Sequence, residues 1–308
     1  MQFLKKQLRK IAPVVKFYRK YKKKNKISSL IGMTSIEERF YYENYAERIY
    51  EGEGAIVDLG CWFGSTTISL AIGLAKNNKV RKAKPKIYAL DQFLWEDWMV
   101  PFVKETKWEN YFKVNDTFIQ AFEENINKYK KHIVTQKVDL TKFKWQAGKI
   151  EFLLIDAMKS WDLLNAIQQN FYPYLIPEKS IILHQDFCHY YTYWIHLLTY
   201  RLKDFFSPVD ATNSGSSVAF LLTKKMPDFV LDHKYVLSDF SEDEVEKAFE
   251  YSLSLVDDNA KGAIIAAKIM YYKASNGLEK ARKYLDEVKE KGIVHYDISI
   301  VDDILKHS

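Results

Sequence analysis

A chain of 308 residues with 47% hydrophobic, 15% aromatic and 28% charged side chains can bury a sizeable core, which excludes a disordered tail and a small disulfide-stapled scaffold. Its two cysteines, Cys61 and Cys188, lie in apolar stretches without a Cys-x-x-Cys pair. Neither a disulfide framework nor a four-cysteine zinc site is expected, and the reducing cytoplasm is the expected compartment. The net charge of +6 is concentrated at one end: residues 1–26 carry eleven Lys/Arg and no acid, which leaves the rest at −5 and argues against nucleic acid as a partner.

In the basic segment, Leu4, Leu8, Ile11, Val15 and Tyr18 recur at helical spacing among Lys5, Lys6, Arg9, Lys10, Lys16, Arg19 and Lys20. Such a helix suits peripheral contact with an anionic membrane surface, or docking on its own domain. Charge interrupts it too often for a bilayer span, and it lacks the centre and cleavage site of a signal peptide. Residues 1–33 are therefore set apart as an amphipathic N-terminal segment. Next, Thr34-Ser35 with Glu37 and Glu38 reads as a capping box opening an amphipathic helix over 36–50.

Residues 55–59 form a short buried-strand run, 60–64 a turn, and 65–75 a helix pattern. Further strands are expected at 86–90, 133–138, 152–155 and 180–183, running into Asp91, Asp139, Asp156 and His184-Gln185-Asp186. Helix patterns at 117–129 and 161–172 lie between them. Alternation of apolar strands with helices predicts an α/β fold: a Rossmann-like, mostly parallel seven-stranded sheet with helices on both faces. The acids collect at the carboxyl ends of the strands, where open α/β sheets bind ligands.

An insertion at 93–115 is rich in aromatics, among them Trp95, Trp98, Phe102, Trp108, Tyr111 and Phe112; it reads either as a lid over the sheet edge or as an extra core layer. A helix over 190–203 and strands at 205–209 and 218–222 close the domain as a hairpin-like ending around a loop at 210–217. Helix patterns at 242–256, 261–274 and 278–291 make residues 239–308 a helical appendage that braces the domain or forms a homo-oligomer contact.

The turn after the first strand reads Asp58-Leu59-Gly60-Cys61-Trp62-Phe63-Gly64-Ser65-Thr66. Gly60 permits a sharp turn off the strand and Gly64 lets the following helix approach closely. A dinucleotide fingerprint would need glycines where Trp62 and Ser65 stand, so a nicotinamide cofactor is disfavoured. The acid-x-Gly-x-x-x-Gly pattern resembles motif I of the class I S-adenosylmethionine-dependent methyltransferases. That resemblance covers roughly residues 34–224 of a domain set at 34–226. It implies that Asp58 lies near the cationic methionine end, that Gly60, Cys61, Trp62, Gly64 and Ser65 form the cofactor turn, that Asp91 accepts both ribose hydroxyls, and that Asp139 meets the adenine amino group.

Within that superfamily the chain is most similar to the sugar-modifying branch that includes the macrocin O-methyltransferase type. The likeness is carried by 57–66, by Leu154-Ile155-Asp156-Ala157-Met158-Lys159-Ser160 and by Leu183-His184-Gln185-Asp186-Phe187. It implies methyl transfer to a hydroxyl of a sugar or surface glycan, with Asp156 at the cofactor edge. It also implies a magnesium ion held by Asp156 and Asp186, although Gln185 and Met158 replace polar or acidic positions of that pattern. Without metal, His184 or Asp186 would serve as the base, His184 because it titrates nearest neutrality. Lys159 would bind an anionic group of the acceptor or ride on a helix surface. The aromatic run His189, Tyr190, Tyr191, Tyr193 and Trp194 suits either sugar faces or core packing. Two other readings stand beside this one: a methyltransferase for phenolic or polyketide small molecules, and a non-catalytic scaffold on the same fold.

Overall fold

The computed structural model describes residues 29–80, 86–211 and 216–308. The basic segment at 1–26 and its membrane contact lie outside the described residues, as do 212–215 of the predicted loop. No helix among the described residues is long and apolar enough to cross a membrane.

Helix α1 (Ile36–Asn44) opens at Ser35, whose side chain accepts the Glu38 N–H (3.2 Å) while the Glu38 carboxylate accepts the Ser35 N–H (2.8 Å). This is the expected capping box, and it satisfies two N–H groups that a helix start leaves without partners. Past Asn44 the helix widens into a π-turn at Tyr45–Ile49, a departure from the regular helix expected over 36–50.

Seven strands follow the predicted series: β1 (Ala55–Leu59), β2 (Ile87–Asp91), β3 (Ile133–Lys137), β4 (Ile150–Ile155), β5 (Ile181–His184), β6 (Phe206–Ala211) and β7 (Val218–Leu222). Their order is β3-β2-β1-β4-β5-β7-β6, parallel except where β7 runs antiparallel to both neighbours. The strand order reverses between β1 and β4, and that switch point is where an open α/β sheet forms its ligand crevice.

The period-two alternation of β1 assigns its side chains to two cores. Ile56 packs with α1 and α2 (Ser65–Lys76) and with α3 (Ile119–Ile126). Val57 and Leu59 pack on the other face with α4 (Trp161–Phe171) and α5 (Tyr193–Arg201). Strand β4 is buried along its whole length, including Glu151, whose carboxylate is met by the N–H groups of Glu51 and Glu53, both at 2.7 Å. Much of the insertion is a core layer: Phe93, Trp95, Met99, Val103 and Trp108 extend the first core, while Trp98 remains 47% exposed.

After the single turn α6 (Asp228–Leu231), the appendage contains four helices: α7 (Glu242–Ser254), α8 (Asp258–Asn276), α9 (Leu278–Glu290) and α10 (Tyr296–Lys306). Sequence reading expected three. Phe249, Ile264, Ala267 and Tyr271 complete the second core of the sheet, so α7 and α8 brace the body. Helices α9 and α10 close a smaller cluster against α8 through Leu285, Val288, Ile298, Val301 and Leu305.

Candidate functional site

A cleft of about 290 Å³ lies at the carboxyl ends of the central strands, lined by Gly60, Trp62, Asp91, Leu140, Asp156 and Lys159, among others. A wider hollow of about 650 Å³ sits at the edge strand β3 beside α3, away from the acid-ended turns of β1, β2 and β4. The smaller cleft is the candidate site because it unites residues from the switch point.

Gly60 has φ +83°, in the left-handed region, and a Cβ there would come within 2.8 Å of the Asp156 carbonyl oxygen. Glycine is thus what lets the turns after β1 and β4 approach each other. Trp62 also adopts a left-handed conformation (φ 43°) and is 8% exposed. Its ring packs against Phe63 at 4.9 Å and Phe102 at 5.9 Å, so the indole forms a wall of the cleft and leaves it open.

Asp91 anchors the turn: its Oδ2 accepts the Trp62 N–H (2.9 Å) and its Oδ1 accepts the Phe93 N–H (2.7 Å). Burial raises its pKa, and those N–H groups pull it back down. Each carboxylate oxygen retains a lone-pair site for a ligand hydroxyl. Asp58 is fully buried behind the turn, where its Oδ2 accepts from the hydroxyls of Thr66 (2.8 Å) and Thr67 (2.5 Å), while Oδ1 has no partner. Burial pushes its carboxyl up to about 6 despite the two hydroxyls.

The cleft therefore brings together four residues expected for cofactor binding: Gly60, Trp62, Asp91 and Asp156. Cys61 and Ser65 are buried outside its lining, Ser65 against Thr34 with oxygens 3.3 Å apart. Gly64 faces the Phe122 ring. Asp139, expected near the adenine, turns its carboxylate to Thr141 (N at 3.0 Å, Oγ1 at 2.6 Å) and Lys142 (3.0 Å). Its neighbour Leu140 lines the cleft instead. Leu94, Met99 and Phe118 also line the cleft and were not anticipated there; the aromatic insertion at 93–115 was the only signal for the first two.

Lys159 is the decisive polar residue. Its ammonium pairs with Asp156 Oδ1 at 3.1 Å and with Asp186 Oδ2, bridging the two carboxylates. The carboxylates hold the lysine strongly protonated against the desolvation that burial imposes. Burial raises the Asp156 carboxyl well above its usual range, with Lys159 opposing. Gln185, which stands at another expected metal position, turns inward: its Oε1 accepts the Tyr42 hydroxyl proton, and its Nε2 donates to Glu38 Oε1 at 3.1 Å. These residues do not fit magnesium. The place between the carboxylates is taken by a positive charge of the chain itself, the third oxygen donor points away, and no group of three His, Cys, Asp or Glu suited to a metal occurs among the described residues.

The expectation that His184 serves as a base is corrected on geometric grounds. Its side chain points to the second core, where it is 2% exposed and packs 6.1 Å from the Phe220 ring. Burial pushes its pKa down to about 4, and its Nδ1 has no partner. Strand β5 ends at His184, so Asp186 lies in the following turn and does not share its face. In the aromatic run, Trp194 is core, with Nε1 donating to the Met158 carbonyl at 2.7 Å, whereas Tyr191 is exposed.

No family model and no curated protein matches the chain. Similar solved structures include three methyltransferases. The O-methyltransferase segment of StiE (residues 942–1257) is 14% identical, with a TM-score of 0.33 over 76% of this chain and 68% of that one. The 23S rRNA methyltransferase ErmE is 12% identical, with a TM-score of 0.34 over 77% and 86%. Coclaurine N-methyltransferase, bound to N-methylheliamine and SAH, is 12% identical, with a TM-score of 0.34 over 88% and 83%.

Proposed function

We propose that the chain is an S-adenosylmethionine-dependent O-methyltransferase whose acceptor is a hydroxyl of a sugar or surface glycan. The observation that carries this reading is the cleft at the switch point, where a glycine turn, a β2-terminal acid and a carboxylate–lysine–carboxylate bridge meet. The residues suit the cofactor: Gly60 leaves room where a Cβ would close the turn, Asp91 retains lone pairs for ribose hydroxyls, and the unpartnered Asp58 Oδ1 supplies negative charge behind the turn. When bound, S-adenosylmethionine supplies an electrophilic methyl group on a sulfonium.

The chain's own tasks are to align the acceptor oxygen and to handle its proton. Lys159 stays protonated, so it stabilises negative charge developing on the acceptor oxygen and does not take the proton. Asp186, fixed through its Oδ2 by Lys159, receives the hydroxyl proton at Oδ1. No metal enters the scheme. The apolar rim of Leu94, Trp98 and Met99 favours a second reading, a phenolic or polyketide acceptor, on the same chemistry.

Calorimetry and labelled-donor assays test the proposal. Asp91→Ala should weaken S-adenosylhomocysteine binding at least tenfold, and Asp186→Asn should slow transfer about 10²-fold or more with donor affinity kept. Chelation should leave transfer unchanged. Absence of donor binding by the folded wild type would refute the reading, and label taken only by phenols in a mixed panel would replace its acceptor.

A further inference from the structure

A second cleft, of about 430 Å³, lies where the appendage meets the body. Met33 lines both it and the candidate donor cleft, so the two are neighbours.

The body's wall is a finished hydrogen-bond network. Glu38 Oε1 accepts from Ser216 N (3.1 Å), Ser217 Oγ (2.6 Å) and Gln185 Nε2 (3.1 Å), and Ser216 Oγ donates to the Gln185 carbonyl at 2.6 Å. On the appendage wall, Gly262 lets His295 approach α8 so closely that a Cβ would come within 2.3 Å of the imidazole-bearing carbon. His295 Nδ1 in turn accepts the Asp297 N–H at 3.1 Å. The Asp297 carboxylate is different. Its side chain is only 13% exposed, and the nearest basic side-chain nitrogen among the described residues is His295 Nδ1 at 4.0 Å, beyond hydrogen-bond range. Its oxygens are not among the fully buried unpartnered atoms of the described residues, so they keep lone pairs that ligand hydroxyls can occupy.

We infer that this cleft is the acceptor site and that it takes a hydroxyl-rich carbohydrate, with Asp297 accepting from sugar hydroxyls and Asn259 and Ser216 completing the polar contacts. Its position beside the donor cleft has meaning only on the methyl-transfer reading, on which this inference rests. The lining offers a carboxylate, an amide, hydroxyls and an imidazole. Among the described residues it includes no Phe, Tyr or Trp wall for a phenol and no Lys or Arg for an anionic group. The appendage, on this account, supplies half of the acceptor site.

The test uses the full chain and a panel of methyl glycosides of hexoses and 6-deoxyhexoses, with binding read by saturation-transfer NMR and donor affinity by calorimetry with S-adenosylhomocysteine. The wild type should bind at least one glycoside, Asp297→Ala should weaken it at least tenfold, and donor affinity should change less than twofold. Asn259→Trp, at an exposed position, should obstruct the cleft and give the same loss if Asp297→Ala fails to fold. Undiminished glycoside binding in the folded variants, or no binding of any panel member by the wild type, overturns the inference. Donor binding that is absent while glycoside binding still depends on Asp297 would overturn the methyl-transfer reading and support the carbohydrate site.

Discussion

Asp58 is a residue whose burial sets a measurable stability cost. Its carboxyl rises to about 6 in the folded chain from an ordinary value of 3.8, so the folded state binds the proton more tightly than the unfolded state. Stability from this group is therefore highest below pH 4 and is lost as pH rises through 6. Asp58→Asn should raise the unfolding free energy at pH 7.5 by up to about 3 kcal/mol, with the gain shrinking below pH 6 and vanishing near pH 4 in urea titrations. A constant gain across that range would show that the charge is not its source. His184 carries the opposite lesson: the motif placed it beside Asp186 in sequence, but alternation along β5 turns it into the core. His184→Gln should consequently leave the acid limb of the pH–rate profile of transfer unmoved. Lys159 was visible in the sequence as a lone cation, whereas its role as a bridge required two turns 27 residues apart to meet.

Among the elements, α1 and α2 pack through a glycine contact that composition does not reveal. A Cβ on Gly73 would lie 2.1 Å from the Glu43 carbonyl oxygen and 2.9 Å from the Ala46 Cβ. Gly73→Ala gains about 1 kcal/mol of helix propensity and loses more by forcing the helices apart. A net destabilisation of about 2 kcal/mol by urea unfolding is expected, and a stabilised variant would contradict the close packing. Helix α10 went unread because Ile298, Ile300, Val301 and Ile304 are β-branched and lower its helix propensity. Its pattern was nevertheless present in Ile298, Val301 and Leu305, which are all buried. The π-turn at Tyr45–Ile49 had no comparable signal; within it Tyr45 packs onto Phe152, ring centres 4.2 Å apart.

For the whole molecule, buried neutral histidines govern acid stability. Burial holds His184 at about 4 and His196 at about 3, below the ordinary 6.5, so the unfolded chain takes up protons first and stability falls as pH drops below 6.5. At pH 5 each histidine costs about 2 kcal/mol, opposed by buried carboxyls whose pKa is raised, Asp58, Asp91 and Asp156 among them. Compared with the wild type, His196→Leu should lose about 2 kcal/mol less stability between pH 7 and pH 5 in urea unfolding, and an unchanged loss would show that the buried imidazole is not its source. Truncation after residue 240 would uncover the second core where Phe249, Ile264 and Tyr271 now pack. The shortened chain should melt without a cooperative transition, which circular dichroism would detect; a sharp melt at the parent temperature would make the appendage an independent unit. The strand series, its acid-ended turns and the glycine turn were legible in the sequence because hydrophobic periodicity and turn chemistry act locally. Burial of His184, inward rotation of Gln185, the lysine bridge between Asp156 and Asp186, and the cleft shared by body and appendage were decided by tertiary structure. Each depends on which distant side chains and cores a residue meets when the sheet assembles, and no local pattern encodes that.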